Sequence, residues 1–242
     1  MLLTETTYRG TLRTTSTTNR YLAALSRAFT ICIREWHWTK ENPVLKITRP
    51  KEGKPRKRYL EKDEITTLLS ACRKSKSPHL YPVTLFALTT AARKGEILGL
   101  KWEDVNFKRN IATFRDTKNG ETRSVHLGEQ ILNCLQEERS KRVIVSEYVF
   151  PNLDGTKPAD IRTAWDLTIK DTGLKNVCFH SLRHTAASHL AMGGVSTLEI
   201  AAILGHKSLS MVKRYSHLST SLTARSLIHM NNEILGDFKF SS

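Results

Sequence analysis

Acidic residues are scarce in this chain: 23 Asp and Glu stand against 38 Lys and Arg in 242 residues, giving a formal charge of +15 and a sequence pI near 9.9. An excess of that size is an argument about partners, and it points to a polyanion, nucleic acid first. Long apolar runs are missing as well. None approaches the roughly 18 residues of a membrane span, and the opening MLLTETTYRG lacks the charged start and apolar stretch of a secretory signal, so the expected location is the cytoplasm. Cysteine is sparse: Cys32, Cys72, Cys134 and Cys178 stand apart without paired spacing, which argues against a disulfide framework or zinc ribbon and for reduced thiols. No internal repeat, low-complexity tract or GxxxxGK[ST] phosphate loop occurs, so neither a solenoid nor Walker-type nucleotide binding is expected.

What is present divides into two unequal parts. The 39% hydrophobic content suffices for one good core plus a smaller unit. From Thr18 to Trp36 the residues Tyr21, Leu25, Ala28, Phe29, Cys32 and Trp36 recur at helical spacing, while Arg20, Arg27 and Arg34 stay off that stripe. This predicts one amphipathic helix ending near ENP. Pro50, Gly53 and Pro55 then discourage regular structure, and residues 51–58 hold five basic residues and one acid, as in a linker. Such a segment is either simply solvated or tracks a phosphate backbone; Arg56, Lys57 and Arg58 are the candidate DNA contacts.

The larger part opens with LEKDEITTLLSACRK, where acids in the first turn and Arg73 and Lys74 in the last suit a helix dipole. A second apolar helix runs through Val83, Leu85, Phe86 and Leu88. Between Ile111 and Leu127, β-branched residues around KNG predict a hairpin with Lys118 at its tip or shoulder. Helices resume near Ile131, Ala159 and Ser181, and STLE at 196–199 is a capping box opening a helix that closes at Gly205. The expected class is mainly α with a small antiparallel β-sheet, α+β.

Several polar residues fit no core pattern. Leu182, Ala186 and Leu190 form one stripe of their helix, so His180 and Arg183 share a different face and can address one object together. Tyr215 stands between Arg214 and His217, with His206 a short segment upstream, a setting that would activate a phenol or bind a phosphate. Each residue alone has an ordinary explanation. Arg93 could be a surface arginine, Lys118 a turn lysine, and His206 the residue after a helix cap. His180 and His184 have metal-chelating spacing, but no third ligand is suggested nearby, so no metal is expected.

Their order and contexts outweigh those explanations. Arg93 in ARKGEILGLKWEDV, Lys118 in TKNGETRSVHL, His180 and Arg183 in HSLRHTAASHLAMGGV, His206 in LGHKSL and Tyr215 in KRYSHL closely resemble the signature of tyrosine recombinases, especially phage-type integrases, over residues 59–220. The resemblance implies the DNA breaking-rejoining catalytic fold and no cofactor. It further implies attack by Tyr215 on a DNA phosphate, a 3'-phosphotyrosyl link and rejoining by a 5'-hydroxyl. Arg93 and Arg183 would hold the non-bridging oxygens, His180 would accept or relay the phenol proton, His206 would donate to the phosphate, and Lys118 would protonate the leaving oxygen. Glu96, one turn after Arg93, either orients a catalytic side chain or is an exposed helix carboxylate.

The same resemblance implies domains: 1–50 a partial helical core-binding region, 51–58 a basic linker, and 59–242 a catalytic domain whose tail, 219–242, docks on a neighbouring protomer. Double-stranded DNA, a homo-oligomer reaching a tetramer on DNA, and a DNA-bending or directionality factor are the implied partners. Two departures stand out. The family's TGxR reads TAAR here, with Ala91, for which a modest backbone adjustment is expected, and only about fifty residues precede the linker, as if the first helices of the core-binding domain were missing. A working recombinase with a reduced clamp is therefore set against a DNA-binding, recombination-deficient remnant and against a type IB topoisomerase. The apolar pattern Leu222, Leu227, Ile228, Ile234 and Leu235 in the tail speaks against the last, although packing in cis would also account for it.

Overall fold

The computed structural model describes residues 6, 10, 12–53, 58–115, 122–140, 145–206, 208–212, 215 and 230. The chain divides into two compact units, 1–57 and 58–242.

In the first unit, helix α1 spans Thr15–Arg34, and the Thr14 side chain caps it by accepting from the Thr17 amide. The helix is where periodicity placed it, but its buried face is not the expected one. Thr18 and Leu22 are buried, whereas Tyr21 and Leu25 are about half exposed. The reason is what covers the helix. Its partner in the described part of this unit is a short 3-10 turn, Pro43–Lys46, tied on by the Asn42 amide, which donates to the Ser26 carbonyl and hydroxyl at 3.0 Å each. Ser26 continues the Thr18–Leu22 face, so that face is the one closed off.

In the second unit α2 (Lys62–Lys74) is followed by α3 (Leu80–Thr90), which is apolar almost all round and correspondingly buried. Then come α4 (Lys94–Leu98), the strands β1 (Val105–Asn106), β2 (Ile111–Phe114) and β3 (Arg123–His126), and α5 (Glu129–Ser140). The strands form one antiparallel sheet in the order β1-β2-β3, with Phe114 opposite Arg123. The expected hairpin is therefore present, although its connection, with Lys118, lies outside the described residues. Helices α6 (Arg162–Thr172), α7 (Phe179–Met192) and α8 (Thr197–Leu204) follow among the described residues, and the unit is mainly α with a small antiparallel sheet. Helix α6 starts a little after Ala159, whose amide is taken by the Phe150 carbonyl at 2.9 Å rather than by a helical partner.

Two apolar clusters hold these elements together. The larger gathers Leu68, Phe86, Leu135, Phe150 and Leu182 from α2, α3, α5, α7 and the loop before α6. The smaller consists mostly of alanines, Ala91, Ala186, Ala187, Ala191 and Ala201, and it also contains Tyr215. Small side chains let α7 and α8 approach closely, so α7 is buried on more sides than its leucine stripe predicts. Arg183, expected on a separate addressable face, is only 3% exposed. The start of the unit is fastened to the same helix: the Leu60 amide donates to Thr185 Oγ1 and its carbonyl accepts from His189 Nε2, both at 2.9 Å.

Candidate active site

The site is organised by the end of α8. Ser196 opens that helix by accepting from the Glu199 amide, and Gly205 ends it in the left-handed region at φ +60°. Gly205 N–H then bonds the Ala202 carbonyl and His206 N–H the Ala201 carbonyl, a Schellman closure. That closure leaves the carbonyls of 203, 204 and 205 without helical partners, at the negative end of the helix dipole. Three guanidinium groups occupy them. Arg123 Nη1 donates to Ile203 O at 2.6 Å, Arg183 Nη2 donates to Leu204 O, and Arg93 Nη2 reaches Gly205 O at 3.4 Å.

Arg93 is positioned from its own side as well. It is the residue before α4, and Glu96 accepts both from its amide at 2.9 Å and from its Nη1 at 2.6 Å. The other oxygen-side partner of Glu96 is Arg123, whose Nη2 donates at 2.6 Å. Glu96 is thus a buried bridge between two arginines, not an exposed helix carboxylate. Burial pushes its carboxyl up, but the bonds from Arg123 and from the Arg93 amide and guanidinium outweigh that, and it sits below its ordinary range.

Arg183 donates its other nitrogen, Nη1, to the Ala91 carbonyl at 2.8 Å. Ala91 is the residue that caps the end of α3 and takes φ +56°, the left-handed conformation that favours glycine. The TAAR departure therefore falls on a backbone position whose strain is about 1–2 kcal/mol for a residue with a Cβ. Burial pushes the Arg183 guanidinium down to about 10, the charges of Arg93 and Arg123 add to that, and Glu96 and Tyr215 oppose it. At neutral pH it stays charged.

Tyr215 is only 5% exposed, and its hydroxyl lies 2.5 Å from His184 Nδ1. In the Nε2–H tautomer of His184 the phenol donates to Nδ1. His180 is exposed and stands edge-on to His184, ring centroids 4.7 Å apart. His206 is half-buried at the α8 cap.

Of the residues singled out in the sequence, Arg93 and Arg183 meet at consecutive carbonyls, His206 follows them directly, and Tyr215 lies in the alanine cluster beside them. The phenol lies against His184, one helical turn after His180. Arg58 is occupied within the chain, Nη1 and Nη2 on the Glu64 carboxylate and Nη1 on the Tyr59 carbonyl. Lys118, Arg56, Lys57, the flanking Arg214 and His217, and the tail 219–242 apart from Met230 lie outside the described residues. Among the described residues no group of three or more His, Cys, Asp or Glu side chains could hold a metal ion, and no helix is long and apolar enough to cross a membrane.

Sequence reasoning passed over two residues. His184 was paired with His180 only as a metal ligand. Arg123 carried a legible signal: strand alternation puts it on the face of Val125, which is buried, and a guanidinium on an inward face needs a buried partner.

Comparison with known proteins follows the same residues. The profile described as the phage integrase family matches residues 58–221. The shufflon-specific DNA recombinase of Escherichia coli is 35% identical over 206 residues, covering 85% of this chain and 52% of that protein. The chain spans about half the length of such curated relatives. Among solved structures, the catalytic domain of bacteriophage HP1 integrase aligns with a TM-score of 0.57 at 26% identity, over 75% of this chain and 98% of that one. The Tn1549 transposon integrase, solved in complex with a circular intermediate DNA, aligns with a TM-score of 0.73 at 18% identity, over 90% of this chain and 80% of that one.

Proposed function

The chain belongs to the phage integrase family of tyrosine recombinases, and from that premise we propose that it cleaves and rejoins double-stranded DNA site-specifically, through a 3'-phosphotyrosyl intermediate, to integrate or excise a mobile element. The observation that carries this reading is the convergence of the Arg93 and Arg183 guanidinium groups on adjacent carbonyls, with the Tyr215 hydroxyl on an imidazole in the same cluster. An ordinary core tyrosine has no need of two arginines.

In the reaction the Tyr215 oxygen attacks phosphorus, and the bond to the 5'-oxygen breaks. The phenol proton leaves through His184, with His180 as the next relay, since a phenol of ordinary pKa near 10 is a weak nucleophile at neutral pH. Arg93 and Arg183 take the non-bridging oxygens, and His206 donates a further hydrogen bond. Lys118 supplies a proton to the departing 5'-oxygen. Reverse attack by another 5'-hydroxyl restores the phosphodiester, so no nucleotide cofactor is consumed.

Residues 1–50 serve as a helical DNA-clamping region and 51–58 as the basic linker in this reading. Between α2, α3 and α7 lies an apolar groove of about 680 Å³, lined by Ile65, Leu69, Leu88, Ala186, Leu190 and Val195. It suits an amphipathic tail from a neighbouring protomer, which supports assembly on DNA as a homo-oligomer. A DNA-bending or directionality factor would act on that assembly.

The test is covalent trapping. Wild type and Tyr215→Phe are incubated with nicked duplexes from the ends of the protein's own genetic element and resolved under denaturing conditions. A protein–DNA band from wild type that Tyr215→Phe lacks is the expected result. Salt-sensitive binding without any covalent band would reduce the protein to a DNA-binding role.

A further inference from the structure

We infer that Arg123 is a positioning residue for strand cleavage: it locks the Glu96–Arg93 pair and the end of α8 into one unit without itself touching the scissile phosphate. The inference rests on the cleavage reading above.

Four features of its surroundings carry it. Its Nη2 donates to Glu96, and the opposite oxygen of that carboxylate holds Arg93, both at 2.6 Å, so the orientation of Arg93 is transmitted through one rigid carboxylate. Its Nη1 donates at 2.6 Å to Ile203, the first of the three carbonyls shared with Arg183 and Arg93. Its Cζ lies 5.1 Å from the centroid of the Phe114 ring, the cross-strand neighbour on β2. Finally, its stem runs under Gly205 so closely that a Cβ there would stand 2.8 Å from Cδ and 3.2 Å from Nε.

These contacts decide its role. With both terminal nitrogens engaged inside the protein, its Nε buried without a partner among the described residues, and its side chain only 12% exposed, Arg123 has no free fork to offer a DNA phosphate. It instead joins three elements: β3, which Lys118 precedes in sequence; α4, which follows Arg93; and α8, which leads to His206. A planar fork is required because Glu96 and the Ile203 carbonyl must be bound simultaneously. A lysine ammonium can serve one of them well but lacks the fixed geometry for both.

Arg123→Lys and Arg123→Met in the full chain, alongside wild type, test this with nicked duplexes in single-turnover cleavage, equilibrium DNA binding across a salt series, and thermal unfolding. Arg123→Lys should fold, bind DNA with the wild-type salt slope, and cleave about tenfold or more slowly, since a displacement of about 1 Å at a reacting centre can cost about a hundredfold. A duplex with a neutral methylphosphonate at the scissile position supplies the readout that a merely structural role would not move. It needs less charge neutralisation, so the variant-to-wild-type deficit should shrink on it. Cleavage of the ordinary duplex by Arg123→Lys within twofold of wild type would overturn the inference, as would equal deficits on both duplexes. Failure of wild type to form any adduct would instead overturn the cleavage reading, and this inference with it. If Arg123→Met does not fold, Arg123→Lys alone decides.

Discussion

The contact between Gly205 and Arg123 lends itself to a paired substitution. Gly205 and Gly173 both end helices in the left-handed region, at φ +60° and +67°. They differ in what a side chain would meet: open space at Gly173, and the Arg123 stem at 2.8 Å at Gly205, closer than real Cβ contacts come. Gly173→Ala should therefore cost only the backbone term, about 1–2 kcal/mol. Gly205→Ala incurs that same cost and also displaces a guanidinium anchored to Glu96 and Ile203 at 2.6 Å each. Charge-assisted hydrogen bonds of this kind contribute about 1.5–3 kcal/mol apiece, so losing one of them brings the total to about 3–5 kcal/mol. In thermal unfolding that is a fall of roughly 10 °C against roughly 4 °C for Gly173→Ala, at about 2–4 °C per kcal/mol for a unit of this size. Covalent trapping on the same samples should show Gly173→Ala close to wild type and Gly205→Ala impaired. Combining Gly205→Ala with Arg123→Ala should be no worse than Arg123→Ala with the backbone term added, because the clash partner is gone. Equal melting shifts and equal cleavage for the two glycine variants would refute the packing argument.

Other consequences are equally direct. Glu96→Gln removes a buried carboxylate shared by two guanidinium groups and should lower stability by about 2 kcal/mol at neutral pH. Because the folded protein holds the Glu96 carboxyl below its ordinary 4.5, its stabilisation is complete above that pH and disappears as pH falls through the folded value; Glu96→Gln should flatten this part of the acid limb of an unfolding titration, and an unchanged limb would contradict the assignment. His184→Phe keeps the ring but removes the acceptor of the Tyr215 hydroxyl, so cleavage should fall at least about tenfold with DNA binding intact; unchanged cleavage would leave proton acceptance to His180 alone. In salt titrations of DNA binding, Arg56→Gln and Lys57→Gln should each lower the log–log slope by about 1, and Arg58→Gln by clearly less, its guanidinium being held by Glu64; three equal slope changes would mean that Arg58 leaves Glu64 for DNA.

The parts of this architecture that were legible in the sequence are those governed by short-range rules. The capping box at Ser196, the glycine closing α8 and the β2–β3 pairing follow from local chemistry, and order and context singled out Arg93 and Arg183, which meet at the end of α8, and Tyr215, which lies in the adjoining alanine cluster. What depends on which face finds a partner was not legible. Helical periodicity correctly put Tyr21 and Leu25 together on α1, yet it carries no information about whether another element covers them, and the turn at Asn42 closes the adjacent face instead. For Arg183 the difficulty is the converse. An arginine beside a leucine stripe reads as solvated unless one knows that the α3 and α8 carbonyls converge on it, which is a fact of tertiary packing. The alanines that permit the convergence are bland in sequence because their contribution is to take up little space.

The charge balance of the cluster explains why so many cations can share one small region and still be useful. Among the described residues, Arg93, Arg123 and Arg183 are offset by the Glu96 carboxylate and by three helix-end carbonyls, an excess of two positive charges within that group. Burial alone would tend to discharge such a site, and the Arg183 guanidinium is indeed pushed down, but a value of about 10 leaves it cationic at neutral pH. A phosphodiester brings one negative charge into the cluster, whereas the pentacoordinate species formed as Tyr215 attacks carries about two. In the proposed reaction the fixed excess therefore matches the transition state better than the ground state, the condition for binding energy to appear as rate. Neutralising Arg123 removes one unit of that excess from a position that contacts no DNA in the proposed site. Ground-state binding, spread over many phosphates, should scarcely register the change, while cleavage, which concentrates its new charge at one phosphorus, should register it fully.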